Sequence, residues 1–301
     1  MYHRGYIMTQ ILTDLQPSPI DTRDKIANLQ LLSTLPTSVD LKADVYEVED
    51  QSTFNACTAN AGCSALELMY KKNGKLVNLS RMYLYYYTRQ LSNIVGDSGA
   101  YPRNIGKALL TYGVCYEPTW PYVAADITTP PTTTAIAEAA PFKITSYEQI
   151  IGDVLPQIKN AVAQGIPVLL TMTVNQSFMS LSGAWTTHTW DTSSASPLLG
   201  THEVLVIGYD DVAGRLLIEN SWGPAWADGG FFGMPYEMVT AGIATEFWIL
   251  TPSLQQQLPP QPVTPAPVVP VTPKSTTTSN STNIIIAVVF IIALILFAIH
   301  H

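Results

Sequence analysis

The sequence predicts an α+β protein, helical first and β-rich second, and two observations carry that reading. Apolar spacing of three to four residues is concentrated between Cys57 and Tyr112, while short β-branched and apolar runs crowd between Pro167 and Leu250. The two kinds of segment do not alternate, which argues against βαβ units and a parallel sheet. At 301 residues the chain can bury one large core or two closely packed ones.

The elements follow in order. Residues 1–35 read as an N-terminal arm or short leader, with a weak helical pattern around Ile26, Leu29 and Leu32. Globular sequence begins near Leu35-Pro36 and runs to about Pro252. CTANAGCSALELMYKK (57–72) is Ala-rich, spaces Cys63, Leu66 and Tyr70 on one face, and meets a stop at Asn73-Gly74. Leu79–Arg89 reads as a second, aromatic-rich helix and Asn104–Tyr112 as a third, ended by Gly113. Residues 126–141 are rich in Thr, Pro and Ala and read as a crossing loop, with a helix expected over Val154–Ala163. Strands are expected at Pro167–Val174, Glu203–Asp210, Arg215–Asn220 and Glu246–Leu250, bounded by Gly and Asp turns. This places a helical part at about 50–140 and a β-rich part at about 141–252.

Composition changes after Ser253. Residues 253–282 are dominated by Pro, Thr and Gln and read as an extended spacer. IIIAVVFIIALILFAI (284–299) follows, sixteen apolar residues without a charge, so 283–300 reads as a short single transmembrane helix that would make the lipid bilayer a partner. With no signal-peptide pattern at the N-terminus, the expectation is a tail-anchored protein whose globular part faces the cytosol.

A net charge of −8 without a basic cluster argues against a nucleic-acid partner. No CxxC or HExxH spacing suggests a metal site, and no cofactor is expected. The three cysteines, Cys57, Cys63 and Cys115, allow at most one disulfide if one is a nucleophile, which favours a reducing compartment.

The chemistry concentrates in three motifs: DQSTFNACTANAG, GTHEVLVIGYDD and ENSWGPAWADGG. Cys57 stands where the first helix should begin, so unpaired N–H groups and the macrodipole would favour its thiolate. His202 could pair with it as base, Asn220 could orient the imidazole, the Gln51 amide could face an oxyanion, and Trp222 could shield the histidine–asparagine bond.

These motifs resemble those of the papain-like cysteine peptidases over roughly residues 36–250. Gln six residues before Cys, His followed by VLVIGY, and NSWGxxWxxxGGF all agree in order and spacing. The resemblance implies a papain-like two-lobed fold, with Gln51 and Cys57 on the helical lobe and His202 and Asn220 on a β-barrel-like lobe. The active site would lie in the cleft between them. It implies a thiol endopeptidase that takes a polypeptide substrate, with the GAYP segment binding substrate backbone through Gly99 and Ala100.

The sequence departs from the family in four places. Phe54 and Asp97 stand where the family has a disulfide pair, Glu203 replaces the small residue after the histidine, Ala100 replaces a glycine, and 35 residues are too few for a long prosegment. Two other functions remain open to this sequence: an inactive peptide-binding module on a stalk, and an acyl or isopeptide transferase using the same residues.

Overall fold

The computed structural model describes residues 15–191 and 196–262. The first element is a short strand, β1 (Ser38–Asp40), in the lead-in sequence. Helix α1 (Cys57–Lys72) is buried on every side from Cys57 to Tyr70. Its polar residues are tolerated inside because they bond locally or across the core. Asn60 Nδ2 donates to the Ala56 carbonyl at 2.9 Å, Ser64 Oγ to Glu219 at 2.7 Å, and Glu67 pairs with Arg81 at 3.0 Å. The helix stops at Asn73, where Gly74 takes φ +72, a left-handed conformation that costs glycine little.

Helix α2 (Arg81–Gln90) starts at Ser80, whose hydroxyl accepts the Tyr83 N–H at 3.1 Å. Helix α3 (Arg103–Thr111) follows Pro102, whose fixed φ suits a helix start. The stretch expected to be a crossing loop carries a further helix, α4 (Thr133–Ala139). Thr132 caps it by accepting the Ala135 N–H at 3.2 Å, and Ala135 and Ala139 bury one face; a seven-residue helix is too short to show its period in sequence.

The β-rich part holds β2 (Ile144–Gln149), α5 (Val154–Ala163), β3 (Val168–Asn175), α6 (Gln176–Met179), β4 (Leu198–Asp210), β5 (Arg215–Glu219), β6 (Phe231–Pro235), α7 (Tyr236–Thr240) and β7 (Ala244–Pro252). Its strands form one antiparallel sheet in the order β2-β7-β3-β4-β5-β6, with β1 pairing the end of β4. The lead-in therefore belongs to the sheet although it precedes the helices. Among the described residues no pairing joins edge strands β2 and β6, so the expected barrel-like closure is replaced by an open sheet. β3 lies at the centre, paired with β4 along its length and with β7 over Leu169–Met172, and nearly all of Val168–Asn175 is buried.

The arm does not become helical. Residues 15–34 run extended over the domain, with Ile26 bridging Gln149 in parallel and the Leu32 N–H reaching Asn160 Oδ1 at 2.9 Å. Ile26 and Leu32 are exposed, so their spacing had no partner face to build a helix against. At the other end, residues 253–262 lie on the helical part. Leu254 and Leu258 pack against the core, Lys75 Nζ holds the Leu254 and Gln256 carbonyls, and the Tyr116 hydroxyl holds the Pro259 carbonyl at 2.7 Å. The rest of the spacer and the apolar run at 283–300 lie outside the described residues. Among the described residues no helix is long and apolar enough to cross a membrane.

Candidate active site

Cys57 is the first residue of α1 and is 1% exposed. Backbone N–H groups of Cys57, Thr58 and Glu203 approach its sulfur, which brings the strand carrying His202 against the helix start. His202 lies in β4 and is fully buried. Its Nε2 is 2.8 Å from Asn220 Oδ1. The Ser221 backbone N–H also donates to Asn220 Oδ1, at 2.8 Å, and fixes that atom as the amide oxygen. Nε2 therefore carries the hydrogen, and Nδ1, which has no partner among the described residues, keeps its lone pair. The Trp222 ring stacks on the imidazole with centroids 5.0 Å apart and planes 28° apart.

The loop before Cys57 is pinned to the turn after Asn220. Asp50 bridges Trp222, the Gln51 N–H donates to the Ser221 carbonyl at 2.8 Å, and the Gly223 N–H to the Glu49 carbonyl at 2.9 Å. Gln51 is fully buried; its Oε1 accepts from the Ser221 hydroxyl at 2.5 Å and its Nε2 donates to the Phe54 carbonyl at 2.7 Å. An amide nitrogen carries two hydrogens, so one bond to Phe54 leaves the second for another acceptor. Ser221 is a positioning residue the sequence reading missed, although the NSW tripeptide placed it beside Asn220.

Phe54 and Asp97 form no bridge, and all three cysteines are free. Hydrogen bonds hold the same junction: the Asn55 N–H donates to Asp97 Oδ1 at 2.9 Å, Asn55 Nδ2 to the Asp97 carbonyl at 2.8 Å, and the Tyr85 hydroxyl to Asp97 Oδ1 at 2.7 Å. The adjoining Gly99 takes φ +73 and donates its N–H to the Tyr85 oxygen at 3.2 Å, and Ala100 is 2% exposed. The Gly99–Pro102 segment is thereby tied to the loop that carries Cys57.

Burial works against the thiolate that the helix start favours. Burial pushes the Cys57 thiol up to about 12, against the pull of the three backbone N–H groups, and pushes His202 down to about 4 despite its bond to Asn220. Both shifts oppose an ion pair, because burial disfavours the charged form of either group. Glu203 leaves the imidazole alone: its carboxyl turns to Thr171, whose hydroxyl donates to it at 2.6 Å.

A cysteine at a helix start, beside an amide-held imidazole under a tryptophan, is the arrangement of a thiol protease. Residues 35–251 match the domain described as "Papain family cysteine protease", and the chain belongs to that family. It is 32% identical over 252 residues to an uncharacterized peptidase C1-like protein of Acanthamoeba polyphaga mimivirus, covering 80% of this chain and 78% of that one. Cysteine proteinase 2 of Entamoeba histolytica is 29% identical, over 70% of this chain and 67% of that protein. Among solved structures, xylellain, a cysteine protease from Xylella fastidiosa, superposes with a TM-score of 0.72 at 28% identity, covering 79% of this chain and 94% of that one. The chain is accordingly a hydrolase of the thiol-protease class with a papain-like fold.

Proposed function

We propose that the protein is an endopeptidase in which Cys57 attacks the peptide carbonyl and His202 moves the proton. The observation that carries this reading is the 2.8 Å contact from His202 Nε2 to an Asn220 oxygen whose identity Ser221 fixes. It leaves the Nδ1 lone pair free to take a proton. As substrate enters, Nδ1 takes the proton from Sγ and the thiolate bonds to the carbonyl carbon. The carbonyl oxygen becomes an oxyanion facing the Cys57 N–H and the second N–H of Gln51. When the tetrahedral adduct collapses, the C–N bond breaks, Nδ1–H protonates the leaving amine, and an acyl-enzyme remains. Water then gives a proton to Nδ1 and its oxygen to the acyl carbon, releasing the acid and the thiol. Asn220 holds the ring throughout, Trp222 keeps water from that bond, and Gly99 and Ala100 bind the substrate backbone.

The test is intact-mass analysis of the protein after incubation with an epoxide inhibitor of thiol peptidases, with Cys57→Ala as control. A single adduct on Cys57, together with cleavage inside a polypeptide substrate, is expected. A Cys57→Ala protein that retains full peptidase activity would overturn the assignment.

The apolar composition of 283–300 also supports attachment of the protein to a membrane through that segment.

A further inference from the structure

The proposed oxyanion donors are the Cys57 N–H and the Gln51 amide, and each is held from outside its own residue. The Cys57 N–H shares a peptide plane with the Ala56 carbonyl, and within that plane the C=O and N–H point opposite ways. Fixing the carbonyl therefore aims the N–H. Asn60 fixes it twice. Its backbone N–H reaches the Ala56 oxygen at 3.0 Å, and its side-chain Nδ2 reaches the same oxygen at 2.9 Å. A carbonyl partner identifies that side-chain atom as the amide nitrogen. Ala56 and Asn60 are both buried, so water does not compete for either bond. Asparagine is a poor helix former, and packing alone would favour an apolar residue at this place in α1.

Gln51 is supported separately. Residues 51–54 make a turn closed by the Phe54 N–H on the Gln51 carbonyl at 3.2 Å, with Ser52 at φ +55, a conformation that disfavours a residue with a Cβ. The Gln51 side chain folds back on the turn and gives Nε2 to the Phe54 carbonyl. Tyr122 clamps the turn from outside. Its hydroxyl donates to the Gln51 carbonyl at 3.1 Å, and its ring meets the Phe54 ring edge-on, with centroids 5.4 Å apart. The Tyr122 backbone N–H is anchored in turn on Glu117 Oε1 at 2.6 Å. The Asn60 amide also approaches the Tyr122 hydroxyl, and a nitrogen bonded once to Ala56 keeps a second hydrogen for it. One hydroxyl thus joins the two supports.

We propose that Asn60 and Tyr122 are positioning residues that aim the two oxyanion donors, Asn60 through the Ala56–Cys57 peptide and Tyr122 through the Gln51 turn. The inference rests on the proteolytic reading of this site. Removing a whole oxyanion donor costs about 100- to 1000-fold in kcat, and a donor tilted away loses part of that. Thiolate reactivity is a separate property. Alkylation by iodoacetamide forms a carbon–sulfur bond as iodide leaves, and no oxyanion develops.

The experiment uses the full-length protein in detergent as wild type, Asn60→Leu, Tyr122→Phe, Gln51→Ala, and Gln51→Ala combined with Tyr122→Phe. The rates read are cleavage of a peptidyl coumarylamide, acylation of Cys57 by a peptidyl p-nitrophenyl ester, and alkylation of Cys57 by iodoacetamide across pH. Asn60→Leu should slow acylation and kcat by about 10-fold or more and Tyr122→Phe by about 3- to 10-fold, with KM and the alkylation profile within about twofold of the wild type. Adding Tyr122→Phe to Gln51→Ala should cost less than about twofold more, because a donor already removed cannot be misaimed. Tyr122→Phe removes a single oxygen and keeps the ring on Phe54, so the test survives if Asn60→Leu does not fold. Acylation within about twofold of the wild type in the folded single variants overturns the proposal. Alkylation that falls in parallel with acylation also overturns it, since that marks a general disturbance of the site, as does a Tyr122→Phe effect that keeps its full size in Gln51→Ala. If the acylation pattern holds while no amide is cleaved, the supports stand and the hydrolytic reading falls; a wild type that is not acylated overturns both.

Discussion

Replacing Asn220 with alanine isolates what the amide does for the imidazole. Asn220 is 2% exposed, and its Oδ1 serves two donors, His202 Nε2 and the Ser221 N–H, each at 2.8 Å. Alanine removes both bonds in surroundings that water does not reach. A neutral hydrogen bond contributes about 1 kcal/mol net, and a buried donor left without a partner costs about 1–3 kcal/mol. The loss falls on the reaction as well as on stability, because an unheld ring can rotate or exchange tautomers and present N–H to the sulfur instead of a lone pair. Trp222 still stacks on the ring and limits its tilt, so the ring stays in the site. We expect transition-state stabilisation to drop by about 2–4 kcal/mol, which is about 30- to 1000-fold in kcat/KM. The loss should lie mainly in kcat, since Asn220 does not face the substrate. The assay is initial-rate kinetics on a peptidyl coumarylamide at neutral pH, with a thermal melt to confirm folding. A folded Asn220→Ala protein with kcat/KM within threefold of the wild type would refute the idea that this amide orients the ring.

Three further outcomes follow from the geometry. Asp97→Ala strips one acceptor from the Asn55 N–H and the fully buried Tyr85, so urea unfolding should show a loss of about 1–3 kcal/mol, most of it restored by Asp97→Asn. Glu219, buried and bonded by Ser64 through one oxygen only, is pushed up from 4.5 to about 8. Its folded state holds a proton that its unfolded state gives up near pH 4.5, so this contribution to stability is whole below that pH and disappears as pH rises through about 8. Urea midpoints should therefore fall between pH 5 and 8 in the wild type, and Glu219→Gln should flatten the profile by on the order of 3 kcal/mol at the alkaline end; an unchanged profile would contradict the burial argument. Deleting 283–300 should move the protein from the detergent-extracted fraction to the carbonate-soluble one, and a full-length protein released by carbonate would count against membrane attachment.

Much of this molecule was legible locally. The α5 boundaries agree residue for residue with the expectation, and α1 begins and ends where Cys57 and Asn73-Gly74 indicate, because Ala-rich spacing and a glycine stop act within a few residues. α4 was missed because its seven residues carry too few turns of apolar repeat. The weak helical pattern in the arm produced no helix over residues 15–34 because helical spacing forms a helix only where a face finds cover. Of the candidate site, Cys57, His202, Asn220 and Gln51 could be named from their motifs, and Trp222 from its place two residues after Asn220.

The amino-acid sequence by itself determined the α+β segregation and the candidates for the reacting groups, since helix starts, turn glycines and the three motifs are short-range properties. Only the tertiary structure decided which way burial moves the pKa values of Cys57 and His202, because burial depends on what the rest of the chain lays over them. It alone replaced the missing disulfide with the Asn55–Asp97 bonds, forty-two residues apart. It alone set Glu203, Thr171 and Glu246 in one row, because neighbours across a sheet are chosen by strand register, and register is settled by the fold as a whole.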